Sequence, residues 1–138
     1  MHDSDATSAE LLALNQRLLD SILAADWGTY QQLCDPTLSA FEPEARGRLV
    51  EGMEFHHFYF ELFGAGGGST AKHPPRATMC SPHVRMLGDE VAVISYVRLV
   101  QKVDATGMPV TSATEETRVW QRQAGQWRHV HFHRSQNA

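Results

Sequence analysis

The chain of 138 residues has the length of one domain and ordinary shares of hydrophobic and charged residues, 42% and 20%, so a single globular fold is predicted. A net charge of −4 without a cluster of Lys or Arg argues against a nucleic-acid surface. No apolar run approaches the ~20 residues of a membrane span, and the acidic N-terminus is not typical of a signal peptide, so a cytoplasmic protein without a membrane partner is expected.

The first predicted element is an amphipathic helix. Thr7 and Glu10 have the spacing of a capping box, and leucines recur after them at helical spacing. This pattern predicts a helix over residues 8–25 that follows a disordered N-terminus over residues 1–7.

A shorter helix and a strand are predicted next. Asp26 is placed to cap a helix that carries Trp27, Tyr30 and Leu33. Alternation over residues 37–42 predicts a short strand, which Pro43 ends. A polar connector then leads to the aromatic-rich segment that begins at Gly52.

The aromatic-rich segment from Gly52 to Phe63 is predicted to be helical, because its large apolar residues recur every three or four positions. His56, Tyr59 and Phe63 then lie on one face of that helix. The glycine-rich stretch 64–75 is predicted to be a surface loop, since it lacks the Gly-Lys-Ser/Thr ending of a phosphate-binding loop.

Four strands are predicted in the second half of the chain. Short turns separate them, which indicates antiparallel neighbours. Helices followed by a meander of strands predict an α+β fold, with one sheet wrapped around an N-terminal helical layer in a single domain over residues 8–135. The strands are expected at 76–86, 90–102, 109–122 and 127–134.

The alternation of side chains predicts which residues share a face of this sheet. If both hairpin turns pair even-numbered residues with even-numbered residues, Thr114 falls between Arg98 and Arg134, and Arg118 falls between Ile94 and Val130. One face then carries Arg98, Arg118, Arg134 and Glu116 beside Tyr96. The opposite face is predicted to carry Trp127, His129, His131 and His133.

The shared arginines allow two interpretations. A buried guanidinium needs an anionic partner, because leaving it unpaired is strongly destabilising. Glu116 can supply that partner through an internal salt bridge, but it is one carboxylate against three arginines. The other interpretation is a pocket in which the remaining arginines bind an external carboxylate or a similar anion.

Several segments closely resemble the association (hub) domain of calcium/calmodulin-dependent protein kinase type II. They follow the family in order from about residue 10 to residue 135 with few gaps. The segments are Phe41–Ala45, Leu49–Phe60, Ser81–Val84, Tyr96–Arg98, Glu115–Trp120 and His131–Ser135.

This resemblance implies a nuclear-transport-factor-2-like, cystatin-like α+β roll, in which a cone-shaped curved sheet wraps around a long N-terminal helix. It also implies a homo-oligomer, at least a dimer and in the kinase a ring of dimers. The family's pocket binds small carboxylates through arginines and a histidine. Carried over by motif, these residues are His56, Arg98, Arg118 and Arg134.

The sequence also departs from the kinase. It contains no glycine-rich nucleotide loop, no His-Arg-Asp and no Asp-Phe-Gly, so no kinase activity is expected of this chain. No basic amphipathic segment precedes the first helix, so calmodulin is not an expected partner, and no cofactor is expected. The tryptophan that the family carries at the pocket mouth is replaced around Phe63 and Gly64.

An enzyme is the alternative function, because the same cone hosts isomerases, dehydratases and polyketide cyclases. His56 and Glu116 would then act as base and orienting group, and Tyr59 or Tyr96 would donate to an oxyanion. Against this, arginines around Glu116 should depress the pKa of its carboxyl and make it a weak base. The expected ligand-binding set is therefore His56, Tyr59, Tyr96, Arg98, Glu116, Arg118 and Arg134.

A metal site is a third interpretation. His129, His131 and His133 alternate along one strand, and a His-x-His pair is a plausible spacing for ligands. The same face would meet a neighbouring subunit in a hub-like assembly, and no acidic or thiol partner accompanies it in sequence. No metal is therefore expected.

Overall fold

The structure is a computed structural model that describes residues 2–65 and 72–136. It contains three helices, a short 3-10 helix at Pro43–Ala45 and six strands within the described residues. The helices are α1 (His2–Leu23), α2 (Trp27–Leu33) and α3 (Glu54–Ala65). The strands are β1 (Cys34–Phe41), β2 (Val50–Glu51), β3 (Arg76–Leu87), β4 (Val91–Val103), β5 (Pro109–Gln123) and β6 (Gln126–Arg134).

The first helix begins six residues earlier than predicted. It starts at His2, so residues 2–7 belong to the helix and Thr7 lies inside it instead of capping it. Nothing in the segment stops a helix, since residues 2–10 contain neither Gly nor Pro. None of the described helices is both long enough and apolar enough to cross a membrane.

The short helix and the strand predicted after α1 are both present, and the strand is longer than predicted. Asp26 caps α2 through a carboxylate that accepts the Thr29 backbone N–H at 3.2 Å. The strand begins at Cys34 and includes Pro36. The proline is accommodated because it lies where the pairing register with β6 shifts, between Cys34 and Ser39. The two-residue strand β2 was not predicted.

All six strands form one sheet in the order β2-β1-β6-β5-β4-β3, which confirms the α+β class. The neighbours are antiparallel except for β1 and β6, which pair in parallel. The predicted β4–β5 register is correct, since Arg98 pairs with Thr114 and Ile94 pairs with Arg118. Residues 66–71 of the predicted glycine-rich loop lie outside the described part of the chain.

The predicted β5–β6 register is wrong along the whole hairpin, because Arg134 pairs with Glu116 and not with Thr114, and Arg118 pairs with Phe132 and not with Val130. Ala124 and Gly125 both have positive φ, and this two-residue turn places Gln123 directly opposite Gln126. A second register shift leaves Val130 without a pairing partner, so that Trp120 pairs with His129 but Arg118 pairs with Phe132.

These shifts exchange the faces of the first part of β6. Trp127 and His129 were predicted on the outer face, yet both side chains are buried inside. Phe132 and Arg134 remain on the inner face as predicted, while His131 and His133 lie outside. A one-residue bulge is sufficient to cause this exchange because successive side chains of a strand alternate between faces.

The core lies between α1 and the inner face of the sheet. Leu11, Leu18 and Leu19 of α1 are fully buried. Asn15, on the same face of the helix, donates to the Tyr96 hydroxyl at 3.0 Å and accepts the Trp120 indole N–H at 3.0 Å. This buried amide joins α1 to two strands and positions the Tyr96 hydroxyl that leads to the candidate site.

Candidate functional site

A cavity of about 420 Å³ lies between the inner face of the sheet, the C-terminal end of α1, and α3. Apolar side chains such as Phe60 and Phe132 contribute to its wall. Because such a wall lowers the local dielectric constant, charges in the cavity interact more strongly than they would in water. The charged or ionisable groups around it are Tyr30, Glu42, Glu44, His56, Tyr59, Arg98, Lys102, Arg118 and Arg134.

Arg118 and Glu116 form the buried centre of the site. The Glu116 carboxylate accepts a 2.6 Å hydrogen bond from the Tyr96 hydroxyl and lies 3.1 Å from Arg118 Nη2. The Arg98 Nε atom approaches its other oxygen at 3.2 Å. Burial acts to raise the pKa of Glu116, but Arg118 and Arg98 outweigh it and hold that pKa below its ordinary value. Glu116 is therefore an ionised salt-bridge partner.

Two further contacts fix the position of Arg118. Its guanidinium carbon lies 4.4 Å from the centre of the Phe132 ring, a cation–π contact, and its Nη1 atom lies 3.4 Å from His129 Nε2. Because a guanidinium can only donate, His129 accepts at Nε2 and carries its proton on Nδ1, which faces Cys34 Sγ at 3.4 Å. Burial lowers the pKa of His129 well below its ordinary value, so this imidazole is neutral.

Arg134 lies at the other side of the cavity beside two carboxylates. It donates a hydrogen bond to Glu44, and its Nη2 atom is 3.8 Å from Glu42 Oε2. Glu44 is exposed on the short 3-10 helix. Burial acts to raise the pKa of Glu44, but the hydrogen bond from Arg134 lowers it overall.

Glu42 and His56 form a buried carboxyl–imidazole pair. Glu42 Oε1 is 3.4 Å from His56 Nδ1, and the two side chains are 8% and 5% exposed. Burial, reinforced by Glu44, raises the pKa of Glu42 to about 7, whereas burial and Arg118 lower the pKa of His56 to about 4. Among the described residues, neither Glu42 Oε1 nor His56 Nε2 has a hydrogen-bond partner.

Most of the residues expected from the sequence line the same cavity. His56, Tyr59 and the three arginines do so. Tyr96 and Glu116 lie behind the arginines, where they support Arg118 without lining the cavity.

Glu42 and Glu44 also line this cavity, although the sequence patterns did not predict them there. They alter the expected surplus of positive charge, because three carboxylates now accompany the three arginines. The one available signal was the Glu-Pro-Glu segment at the end of a predicted strand. It could not be placed near Arg134 without the parallel pairing of β1 with β6, where Phe41 lies opposite His133.

The three alternating histidines do not share a face. His129 is buried, whereas His131 hydrogen-bonds Ser39 at 2.7 Å and His133 is exposed. In the part of the chain that the structure describes, no three His, Cys, Asp or Glu side chains are grouped so as to hold a metal ion.

Comparisons with known proteins agree on one family. The family model described as calcium/calmodulin dependent protein kinase II association domain matches residues 7–138. The delta subunit of calcium/calmodulin-dependent protein kinase type II from Oryctolagus cuniculus is 46% identical over 133 residues, which cover 96% of this chain and 24% of that subunit. The chain thus spans about a quarter of the length of this curated relative.

Solved structures agree with that match. The hub homology domain from Chlamydamonas reinhardtii is 49% identical, with a TM-score of 0.83 over 94% of this chain and 97% of that one. The association domain from C. elegans is 38% identical, with a TM-score of 0.88 over 99% and 100%. A nuclear transport factor 2-like protein from Salmonella enterica, 22% identical with a TM-score of 0.74 over 98% and 94%, shares the fold alone.

Proposed function

Because this chain belongs to the calcium/calmodulin-dependent protein kinase II association-domain family, we propose that it is an oligomerisation module whose cavity binds a small carboxylate. The observation that supports the ligand is the convergence of Arg98, Arg118 and Arg134 on one cavity of about 420 Å³. Planar guanidinium groups suit the two oxygens of a carboxylate, and the apolar side chains beside them strengthen the attraction.

The three arginines have different parts in this proposal. Arg118 is 1% exposed and committed to Glu116, so it supplies positive potential and little direct contact. Arg98 and Arg134 are 13% and 15% exposed, which leaves their cavity-facing edges accessible to a ligand. His56 adds a donor if its proton resides on Nε2, the nitrogen without a partner among the described residues.

The ligand is expected to carry an apolar part. An adjoining, mostly apolar cavity of about 540 Å³ shares Tyr59, Phe60 and Phe63 with the charged one. An aromatic or short aliphatic acid could place its carboxylate near Arg98 and extend its hydrocarbon toward this wall. Benzoate and butyrate are therefore suitable probes.

The oligomerisation proposal is supported by the outer face of the sheet. Phe41 and Val97 are exposed there, and Phe41 packs against the rings of His131 and His133 at centroid distances of 6.3 and 5.5 Å. Exposed apolar and aromatic side chains on the face of a sheet are typical of a subunit interface. The expected assembly is a homodimer or a ring of dimers.

The catalytic alternative has less support. It assigned the roles of base and orienting group to His56 and Glu116, but the Glu116 carboxylate is ion-paired with Arg118, has a lowered pKa and does not line the cavity. A carboxylate held in this way is a poor proton acceptor. We therefore propose binding and not turnover.

The carboxylate site is tested by calorimetric titration of benzoate into wild type and Arg98→Gln. Losing one charged hydrogen-bond donor removes about 1.5–3 kcal/mol, so affinity should fall roughly 10- to 100-fold. Arg17→Gln, which changes an exposed arginine on α1, is the matched control and should bind as wild type does. Equal affinities for wild type and Arg98→Gln would contradict the pocket.

The assembly is tested by native mass spectrometry and light scattering. A dimer or larger oligomer at micromolar protomer concentration is expected, and Val97→Arg on the outer face should shift it toward smaller species. A wild-type protein that remains monomeric under these conditions would remove the oligomerisation proposal.

A further inference from the structure

Glu42 is a buried acid that faces the proposed carboxylate site. It follows the last residue of β1, and the 3-10 helix then begins at Pro43. One carboxyl oxygen lies 3.4 Å from His56 Nδ1 and the other 3.8 Å from Arg134 Nη2. Among the described residues the oxygen beside His56 has no hydrogen-bond donor, so this carboxylate is incompletely compensated.

Five elements around Glu42 contribute an ionisable group. His56 of α3 and Tyr30 of α2 approach it, Arg118 of β5 and Arg134 of β6 attract it, and Glu44 of the 3-10 helix repels it. The arginines do not compensate it fully, because Arg118 is bound to Glu116 and Arg134 also donates to Glu44.

The charges in the cavity leave no surplus for a ligand while Glu42 is ionised. Three guanidiniums then face three carboxylates, those of Glu42, Glu44 and Glu116. Lys102 also lines the cavity, but its side chain is exposed and therefore screened by solvent. An incoming carboxylate would add a second negative charge next to Glu42, and two like charges in one cavity oppose joint ionisation.

We propose that the carboxylate ligand enters this cavity together with one proton, which Glu42 accepts. The inference rests on the proposed carboxylate site. The ligand anion and one proton from solvent combine with ionised Glu42 to give neutral Glu42 beside the bound anion, so charge and protons balance. The protonated carboxyl then donates to His56 Nδ1, which places the imidazole proton on Nε2, where it can donate to the ligand.

Glu42 is suited to this exchange near neutral pH. Burial raises the pKa of Glu42 to about 7, so the free protein releases this proton within the range where the ligand stays ionised. The same burial lowers the pKa of His56 to about 4, so that imidazole is already neutral and has no proton to release. Above about pH 7, affinity should therefore fall about tenfold for each further pH unit.

The test is calorimetric titration of benzoate at about pH 6 and about pH 8, each in two amine buffers that differ in ionisation enthalpy. Amine buffers are chosen because phosphate could compete for the arginines. The dependence of the heat on the buffer gives the number of protons bound. We expect about one proton taken up per benzoate at the higher pH and close to none at the lower pH.

Three variants assign the proton. Glu42→Gln should bind benzoate with no proton uptake and with an affinity that no longer depends on pH across this range. Glu51→Gln, which changes an exposed carboxylate on β2, should retain the wild-type uptake. Uptake that persists in Glu42→Gln would overturn the inference, and its loss in His56→Gln would then identify the imidazole as the acceptor.

The wild-type measurement separates this inference from the proposed function. Benzoate that binds at both pH values without proton uptake overturns only the role of Glu42. Benzoate that binds at neither pH overturns the carboxylate site and this inference together. Circular dichroism of Glu42→Gln confirms that its result refers to folded protein.

Discussion

Glu42 and His56 should make opposite contributions to the pH dependence of folding. Because the folded pKa of Glu42 is about 7 against an ordinary 4.5, its contribution to stability decreases as the pH rises between these values. The folded pKa of His56 is about 4 against an ordinary 6.5, so its contribution decreases as the pH falls between these values.

The two contributions should cancel in the wild-type protein. Between about pH 4.5 and 6.5 the folded pair holds one proton, and so does the unfolded pair, in which only the histidine is protonated. Folding then takes up and releases no proton at these two residues, so they add no slope to stability against pH. This holds whether the shared proton resides on Glu42 or on His56 in the folded state.

Single substitutions should reveal each contribution. In Glu42→Gln only the histidine titrates, so the free energy of unfolding relative to wild type should increase between about pH 4 and 6.5. In His56→Gln it should decrease relative to wild type between about pH 4.5 and 7. Each change should approach about 3 kcal/mol, at 1.36 kcal/mol per pH unit, because both side chains are almost completely buried.

The assay is urea unfolding at a series of pH values and at one fixed protomer concentration, since assembly also affects apparent stability. Glu51→Gln, in which an exposed carboxylate is changed, should follow the wild-type profile throughout. The reasoning is refuted if Glu42→Gln runs parallel to wild type in this range, or if both variants change slope in the same direction.

Two further substitutions examine the remaining carboxylates of the cavity. Glu116→Gln leaves buried Arg118 without its ion-pair partner and should lower the free energy of unfolding by about 3–5 kcal/mol. Glu115→Gln, on the exposed face of β5, is the control and should change that free energy by less than about 0.5 kcal/mol. Equal urea midpoints for the two variants would contradict the buried ion pair. Glu44→Gln removes an exposed carboxylate that competes with the ligand for Arg134. Benzoate affinity, measured by calorimetric titration, should rise by no more than about fivefold. Weaker binding of benzoate would contradict this competition.

The sequence predicted those parts of the fold that depend on local pairing. The short turn between β4 and β5 makes these strands antiparallel neighbours, so alternation alone placed Arg98 opposite Thr114 and Arg118 opposite Ile94. The clustering of Arg98 and Arg118 followed from this register without any knowledge of the rest of the chain. The family motif independently indicated the same residues.

Alternation could not predict where a strand departs from regular pairing. The two-residue turn at Ala124 and Gly125 and the unpaired Val130 each moved the β6 register by one residue. Together they restore Phe132 to its predicted face, but they turn His129 inward between them. A bulge of this kind depends on tertiary packing, here the burial of Trp127 and His129, and has no clear signal in a single sequence.

The two interpretations of the arginines drawn from the sequence apply to different residues. Arg118 has the internal salt bridge, because Glu116 contacts it at 3.1 Å and solvent does not reach it. The proposed ligand therefore depends on Arg98 and Arg134, and Arg134 already contacts Glu44 and lies near Glu42. The number of arginines alone does not predict an anion site when as many carboxylates lie beside them. Affinity should instead follow the protonation of Glu42, the acid whose burial permits it to become neutral near physiological pH.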